Sequence, residues 1–262
     1  MIKCALHLAP CILLVLAPSW QTYERPVAPT KAVLLTLPST AKIAGAPVSI
    51  QVSLPPPSSL TEDGWPLLLF LHGAGERGTD VNMVGRHGPL KYVDTFAELQ
   101  GCVIVAPQCP TGAWWEAAAL KELVDGVRDS YPIDDARIYV SGLSMGGYGT
   151  WDLLSRYPEF FAAAVPICGG GDVRRLWSLA PTGFELDNLL LAKDVPIHAY
   201  HGDADKLIPV AESQFLVDAL REAGSSATLT IYPGVGHNSW SQTYDDPELY
   251  KWLFAQKRLA KD

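Results

Sequence analysis

The stretch Ser141-Gly142-Leu143-Ser144-Met145-Gly146-Gly147 decides how the rest of the chain is read. It follows the strand-like run 137–140 and leads into a helix-like stretch over 146–157, so a G-x-S-x-G pentapeptide falls at a strand-to-helix turn. Such a turn must be tight enough to hold Ser144 in a strained backbone conformation, and glycines two residues to either side let neighbouring backbones approach without a clash. The Ser144 hydroxyl then projects above the sheet. The Met145 N–H, at the start of the following helix, is placed to donate to a developing oxyanion, and the helix dipole assists.

Working outward, short continuous apolar runs at 67–71, 103–106, 138–140, 163–167, 197–200 and 228–232 read as central parallel strands buried on both faces. Helix-like stretches lie between several of them, at 117–131, 146–157 and 210–223, and a last one runs from Pro247 to about Leu259. The fold class is α/β: a mostly parallel sheet with helices on both faces. Two earlier strands are expected at 32–37 and 47–54, the second alternating Val48, Ile50, Val52 and Leu54 as a half-exposed antiparallel strand does. The proline-rich punctuation between Leu54 and Pro66 reads as a surface loop.

A lone pentapeptide is a weak signal, so the partners of Ser144 carry the weight. A second oxyanion donor is expected from the loop His72-Gly73-Ala74-Gly75 that ends the 67–71 strand, with the Ala74 N–H as candidate and His72, Glu76 and Arg77 bracing it. Among six histidines, His237 follows the last strand in a flexible glycine-rich loop and is the expected general base, with His87 an outside candidate. His201 ends a strand and is expected to satisfy backbone groups. A carboxylate must orient the base, and His201-Gly202-Asp203-Ala204-Asp205 supplies two; Asp205 is expected, with Asp203 as the alternative. Trp114, Trp115 and Trp240 lie where side chains line a ligand cleft or plug the core beneath a loop, and both readings stay open.

The chain has 262 residues, 48% hydrophobic and 18% charged, which suits one catalytic domain over 20–262. A net charge of −8 with scattered Lys and Arg offers no basic stripe, so a nucleic-acid partner is not expected. Lys3, the apolar run 8–17 and Ala17-Pro18-Ser19 read as a signal peptide over 1–19 and hence export, a cytoplasmic leader being the alternative; the run is too short for a permanent membrane span. Beyond the leader remain Cys102, Cys109 and Cys168, and whether Cys109 and Cys168 pair is open. No metal is expected, because His198 and His201 lie three apart in a strand and point to opposite faces. Gly169-Gly170-Gly171 lacks dinucleotide-binding spacing and reads as a loop; no cofactor is expected.

The segments LHGAGERGTD (71–80), APQCP (106–110), SGLSMGG (141–147), HGDADKLIP (201–209), YPGVGHNSW (232–240) and PELYKWLFAQKR (247–258) together resemble the α/β-hydrolase superfamily. Within it they are similar to the predicted peptidase and phospholipase/carboxylesterase branch, related to dienelactone hydrolase-like and polyhydroxybutyrate depolymerase-like esterases. The resemblance runs from about Trp65 to Arg258 and implies a sheet of about eight strands. It also implies the chain order nucleophile, acid, base on Ser144, Asp205 and His237, with Ala74 and Met145 as oxyanion donors. The N-terminal segment departs most, since 46–54 lacks an aromatic residue expected there. A serine carboxylesterase is the expectation, acting on a small-molecule or polymer-borne ester. The short distance from Gly169 to Val195 points to a small cap or none, and so to short-acyl or aromatic esters. A serine peptidase and a non-catalytic binding protein on the same fold are the alternatives.

Overall fold

The computed structural model describes residues 32–171 and 184–258. The leader expected over 1–19 and part of the segment expected to be a small cap lie outside the described residues. Eight strands form one sheet in the order β1-β2-β4-β3-β5-β6-β7-β8. They are β1 (Val33–Ile43), β2 (Ala46–Leu54), β3 (Trp65–Leu71), β4 (Val103–Pro107), β5 (Ile133–Leu143), β6 (Ala163–Ile167), β7 (His198–Gly202) and β8 (Thr228–Tyr232). From β4 to β8 every neighbouring pair is parallel, and the hairpin of β1 and β2 adds an antiparallel edge against β4. The helices are α1 (Ala97–Gln100), α2 (Ala117–Ser130), α3 (Met145–Arg156), α4 (Leu186–Leu189), α5 (Val210–Glu222), α6 (Trp240–Tyr244) and α7 (Pro247–Ala255).

The period-two geometry of a strand explains why β3 is apolar at every position. Leu67, Leu69 and Leu71 face a core shared with Leu120 and Leu123 of α2, Trp151 of α3 and Leu216 of α5. Leu68 and Phe70 face a second core with Leu99 of α1, Tyr244 of α6 and Tyr250 and Leu253 of α7. Helices therefore cover both faces, as the apolar runs require. Among the described residues, no helix is long and apolar enough to cross a membrane.

Two expectations about the N-terminal strands change. The first strand does not stop at Leu37 but continues to Ile43, with a register shift between Pro38 and Lys42. Proline removes a ladder donor, and a bulge accommodates that loss without ending the strand. Ala44 and Gly45, both at positive φ (50° and 76°), then close a tight hairpin turn. β2 is half-exposed only in its first residues, because Gln51 and Ser53 on its other face are also buried. The Gln51 side chain donates to Asn82 Oδ1 at 3.2 Å in the turn covering that face.

Register sets the site. Leu71 pairs with Gly142 and Leu143 with Ile167, so the loops after β3, β5 and β6 leave the sheet side by side at its C-terminal edge. Gly202 pairs with Tyr232, which brings the loops after β7 and β8 to the same edge. Ligands of parallel α/β sheets bind at that edge.

Candidate active site

Ser144 joins β5 to α3 at φ 54°, ψ −116°, a conformation L side chains rarely adopt. The turn closes so tightly that a Cβ on Gly142 would meet the Gly146 carbonyl oxygen at 2.2 Å, and one on Gly146 would meet the Leu71 carbonyl oxygen at 1.9 Å. Only hydrogen fits at either position. The Ser144 N–H donates to the Ile167 carbonyl at 2.9 Å, tying the turn to β6.

His237 reaches Ser144 from the loop after β8, its Nε2 2.9 Å from Ser144 Oγ. Its Nδ1 lies 2.7 Å from Asp205 Oδ2. A carboxylate only accepts, so Nδ1 carries the ring proton and Nε2 is left to accept from the Ser144 hydroxyl. Asp205 Oδ1 takes the N–H groups of Leu207 at 2.8 Å and Ile208 at 3.0 Å, which fix the carboxylate plane. Asp203, the alternative expected acid, is exposed and accepts from the Gly234 N–H at 2.6 Å, so it holds the loop that carries His237 instead of the imidazole itself.

The loop after β3 forms the other wall. His72 is buried between the Gly73 carbonyl, 2.6 Å from its Nδ1, and the Cys109 N–H, which donates to its Nε2 at 3.0 Å. Burial lowers its pKa to about 4, so it is neutral and braces the loop. Glu76 is buried at the end of that loop, its pKa raised chiefly by desolvation, with His87 Nε2 3.8 Å from its Oε1. The Gly73 Cα lies against Ser144, since a Cβ there would stand 3.6 Å from the Ser144 Cβ. Ala74 and Met145 open the helical turns that follow β3 and β5, strands whose ends pair at Leu71 and Gly142.

The three tryptophans separate. Trp115 is buried, its ring edge-on to His72 at 4.8 Å and its indole N–H on the His72 carbonyl at 3.2 Å, so it supports the loop from within the core. The open choice between cleft wall and core plug resolves to the plug for this residue. Trp114 is half-buried beside Tyr148. Trp240 stands edge-on between His237 and His87, with ring centroids at 5.4 and 5.7 Å.

Cys102, Cys109 and Cys168 are free thiols, each buried, which settles the open question of pairing. His198 and His201 enter separate networks, His198 with Thr230 and Tyr200, His201 with Ser213 and Ile208. The glycines at 169–171 do more than form a loop: a Cβ on Gly169 would strike Gly147 at 2.6 Å, so the chain after β6 lies directly on the start of α3. Sequence reading missed the surroundings of His201, for which the signal was its spacing of four residues from Asp205.

Comparison with known proteins points to esterases of the α/β-hydrolase fold. The sequence pattern of the family described as phospholipase/carboxylesterase matches residues 115–248. The bifunctional acetylxylan esterase/xylanase XynS20E of Neocallimastix patriciarum is 33% identical over 188 residues, 68% of this chain and 25% of that protein. Carboxylesterase SOBER1 of Arabidopsis thaliana is 24% identical over 65% of this chain and 82% of its own length. Among solved structures, a thermostable esterase superposes with a TM-score of 0.72 at 34% identity, over 87% of this chain and 64% of that one. The chain spans a quarter or less of the length of the first curated relatives it matches.

Proposed function

The chain belongs to the phospholipase/carboxylesterase family of α/β-hydrolases, and from that premise we propose that it hydrolyses carboxylic esters through an acyl-enzyme on Ser144. The observation that carries the reading is the continuous hydrogen-bonded run Ser144 Oγ–His237–Asp205, at 2.9 and 2.7 Å, at the C-terminal edge of the sheet. Residues 20–262 are read as one catalytic domain and 1–19 as a leader that directs export.

In the first half-reaction His237 Nε2 takes the Ser144 proton as Oγ attacks the ester carbonyl, and the imidazolium formed is stabilised by Asp205. Negative charge gathers on the carbonyl oxygen, where the Met145 and Ala74 N–H groups and the α3 dipole act on it. The tetrahedral adduct collapses as His237 returns the proton to the departing alcohol. Water, deprotonated by the same imidazole, then releases the acid and restores Ser144. The chain's own residues supply every proton transfer in this cycle.

Short-acyl or aromatic esters, free or borne on a polymer, are the proposed substrates. The short spacing from Gly169 to Val195 supports an open cleft, and the similarity to an acetylxylan esterase/xylanase supports an acyl group on a polymer. A panel of nitrophenyl esters from acetyl to long-chain acyl, with matched amides, assayed on wild type and Ser144→Ala, tests the proposal. Ester cleavage strongest for short acyl groups and abolished in Ser144→Ala is expected. Activity rising steadily with chain length would overturn the substrate class, and preferred amide cleavage would make the chain a peptidase.

A further inference from the structure

Asp205 Oδ2 faces two imidazoles. His237 Nδ1 lies 2.7 Å away on the cleft side, and His201 Nε2 lies 3.3 Å away on the inner side. His201 is wholly buried, and its Nε2 also lies 2.9 Å from the Ile208 carbonyl oxygen. A carbonyl only accepts, so Nε2 carries a proton and donates it to Ile208 O, with Asp205 Oδ2 in contact at 3.3 Å. Burial disfavours the charged ring, and the neutral ring with its proton on Nε2 accepts at Nδ1. The group placed there is Ser213 Oγ of α5, at 2.8 Å.

The result is a second Ser–His pair on the same carboxylate, with the two ring nitrogens exchanged. In the cleft, Ser144 meets Nε2 and Asp205 meets Nδ1; in the interior, Ser213 meets Nδ1 and Asp205 meets Nε2. Ser213 and His201 are both closed to solvent, so the interior pair has no access to substrate. It does have a mechanical connection. The single Ser213 Oγ proton is shared between His201 Nδ1 and the Gly169 carbonyl at 3.0 Å, and Gly169 lies directly on Gly147 in the first turn after Ser144.

We infer that His201, held by Ser213, is a positioning residue that fixes the Asp205 carboxylate against His237 and ties it to the nucleophile turn through Gly169. The role rests on the proposed acyl-enzyme chemistry at Ser144. Leu207, Ile208 and His237 donate to the carboxylate and His201 Nε2 packs against its Oδ2 at 3.3 Å, so the carboxylate cannot rotate about its Cβ–Cγ bond without breaking a hydrogen bond in a buried place. Without His201, Oδ2 loses the contact opposing His237, and the imidazole loses alignment that matters only once charge develops on it. The expected signature is therefore a loss in kcat, not in KM.

The test measures kcat and KM for 4-nitrophenyl acetate, and thermal unfolding midpoints, for wild type, His201→Leu, His201→Gln and Ser213→Ala. His201→Leu is expected to lose roughly 10- to 100-fold in kcat with KM within about twofold. His201→Gln, whose amide N–H reaches about where Nε2–H does, is expected to restore most of that loss. A folded His201→Leu with wild-type kcat, or a Gln variant as slow as Leu, overturns the inference. Should His201→Leu not fold, Ser213→Ala decides, because it keeps the imidazole and removes the hydroxyl that meets Nδ1 and the Gly169 carbonyl: a several-fold drop in kcat at unchanged KM supports the role, and wild-type kcat overturns it. If wild type does not hydrolyse the ester, the proposed function itself fails; if wild type does and the variants match it, the His201 role alone fails.

Discussion

Asp203 and Asp205 stand two residues apart in one loop, yet each binds a different part of the next loop. Asp205 is buried and bonds the His237 imidazole, whereas Asp203 is exposed and bonds the Gly234 backbone. Replacing Asp205 with Asn leaves a group that cannot stabilise the imidazolium and that favours the wrong ring tautomer, so kcat/KM is expected to fall on the order of 10³–10⁴-fold. Asp203→Asn keeps an oxygen for the Gly234 N–H and is expected to cost less than about tenfold. Steady-state kinetics on the two variants separates them; equal losses would contradict the assignment. Which of the two carboxylates meets the imidazole was only partly legible in the sequence. The direction in which the chain returns depends on Gly202, where a Cβ would stand 2.1 Å from the Val235 carbonyl oxygen, and that contact joins two loops far apart in sequence. His201 was legible as a buried partner of backbone groups, but its place against Asp205 depends on α5 supplying Ser213.

At the scale of elements, the parallel strands and long helices were readable within a few residues, because a strand covered on both faces must be apolar throughout and a covering helix must repeat at 3.6. The strand-turn-helix at Ser144 was readable for a different reason: the glycines at 142 and 146 mark backbone contacts that no side chain permits. The extent of β1 was not readable, since Pro38 looks like a terminator until a partner strand absorbs the irregularity. Nor could adjacent tryptophans be told apart. Trp115 turns inward onto His72 while Trp114 stays half-buried near Tyr148, and both contacts are tertiary. The state of the cysteines likewise turns on distances between strand ends, which spacing does not encode.

Across the whole molecule, buried and half-buried histidines set the response to acid. His72 has its pKa lowered to about 4 by burial, and His87, His198 and His201 are lowered too, first by desolvation. Each binds its proton less readily folded than unfolded, so stability is present above about pH 6.5 and is lost as pH falls toward the folded values. For His72 alone the loss approaches about 3 kcal/mol near pH 4. Glu76 and Asp152, raised by burial, act in the opposite sense and soften the fall. The unfolding midpoint is therefore expected to drop between pH 7 and pH 4.5, and less steeply in His72→Gln. A midpoint flat across that range would mean the four imidazoles are not held neutral.

The same interior that keeps those rings neutral holds the Ser144–His237–Asp205 run in place, and the claim at its centre is that Ser144 is the nucleophile. Mass spectrometric location of a fluorophosphonate adduct tests it most directly. One adduct on the peptide bearing Ser144, and none in Ser144→Ala, is expected. An enzyme that hydrolyses esters while its Ser144 stays unmodified, or one labelled at another serine, would contradict it.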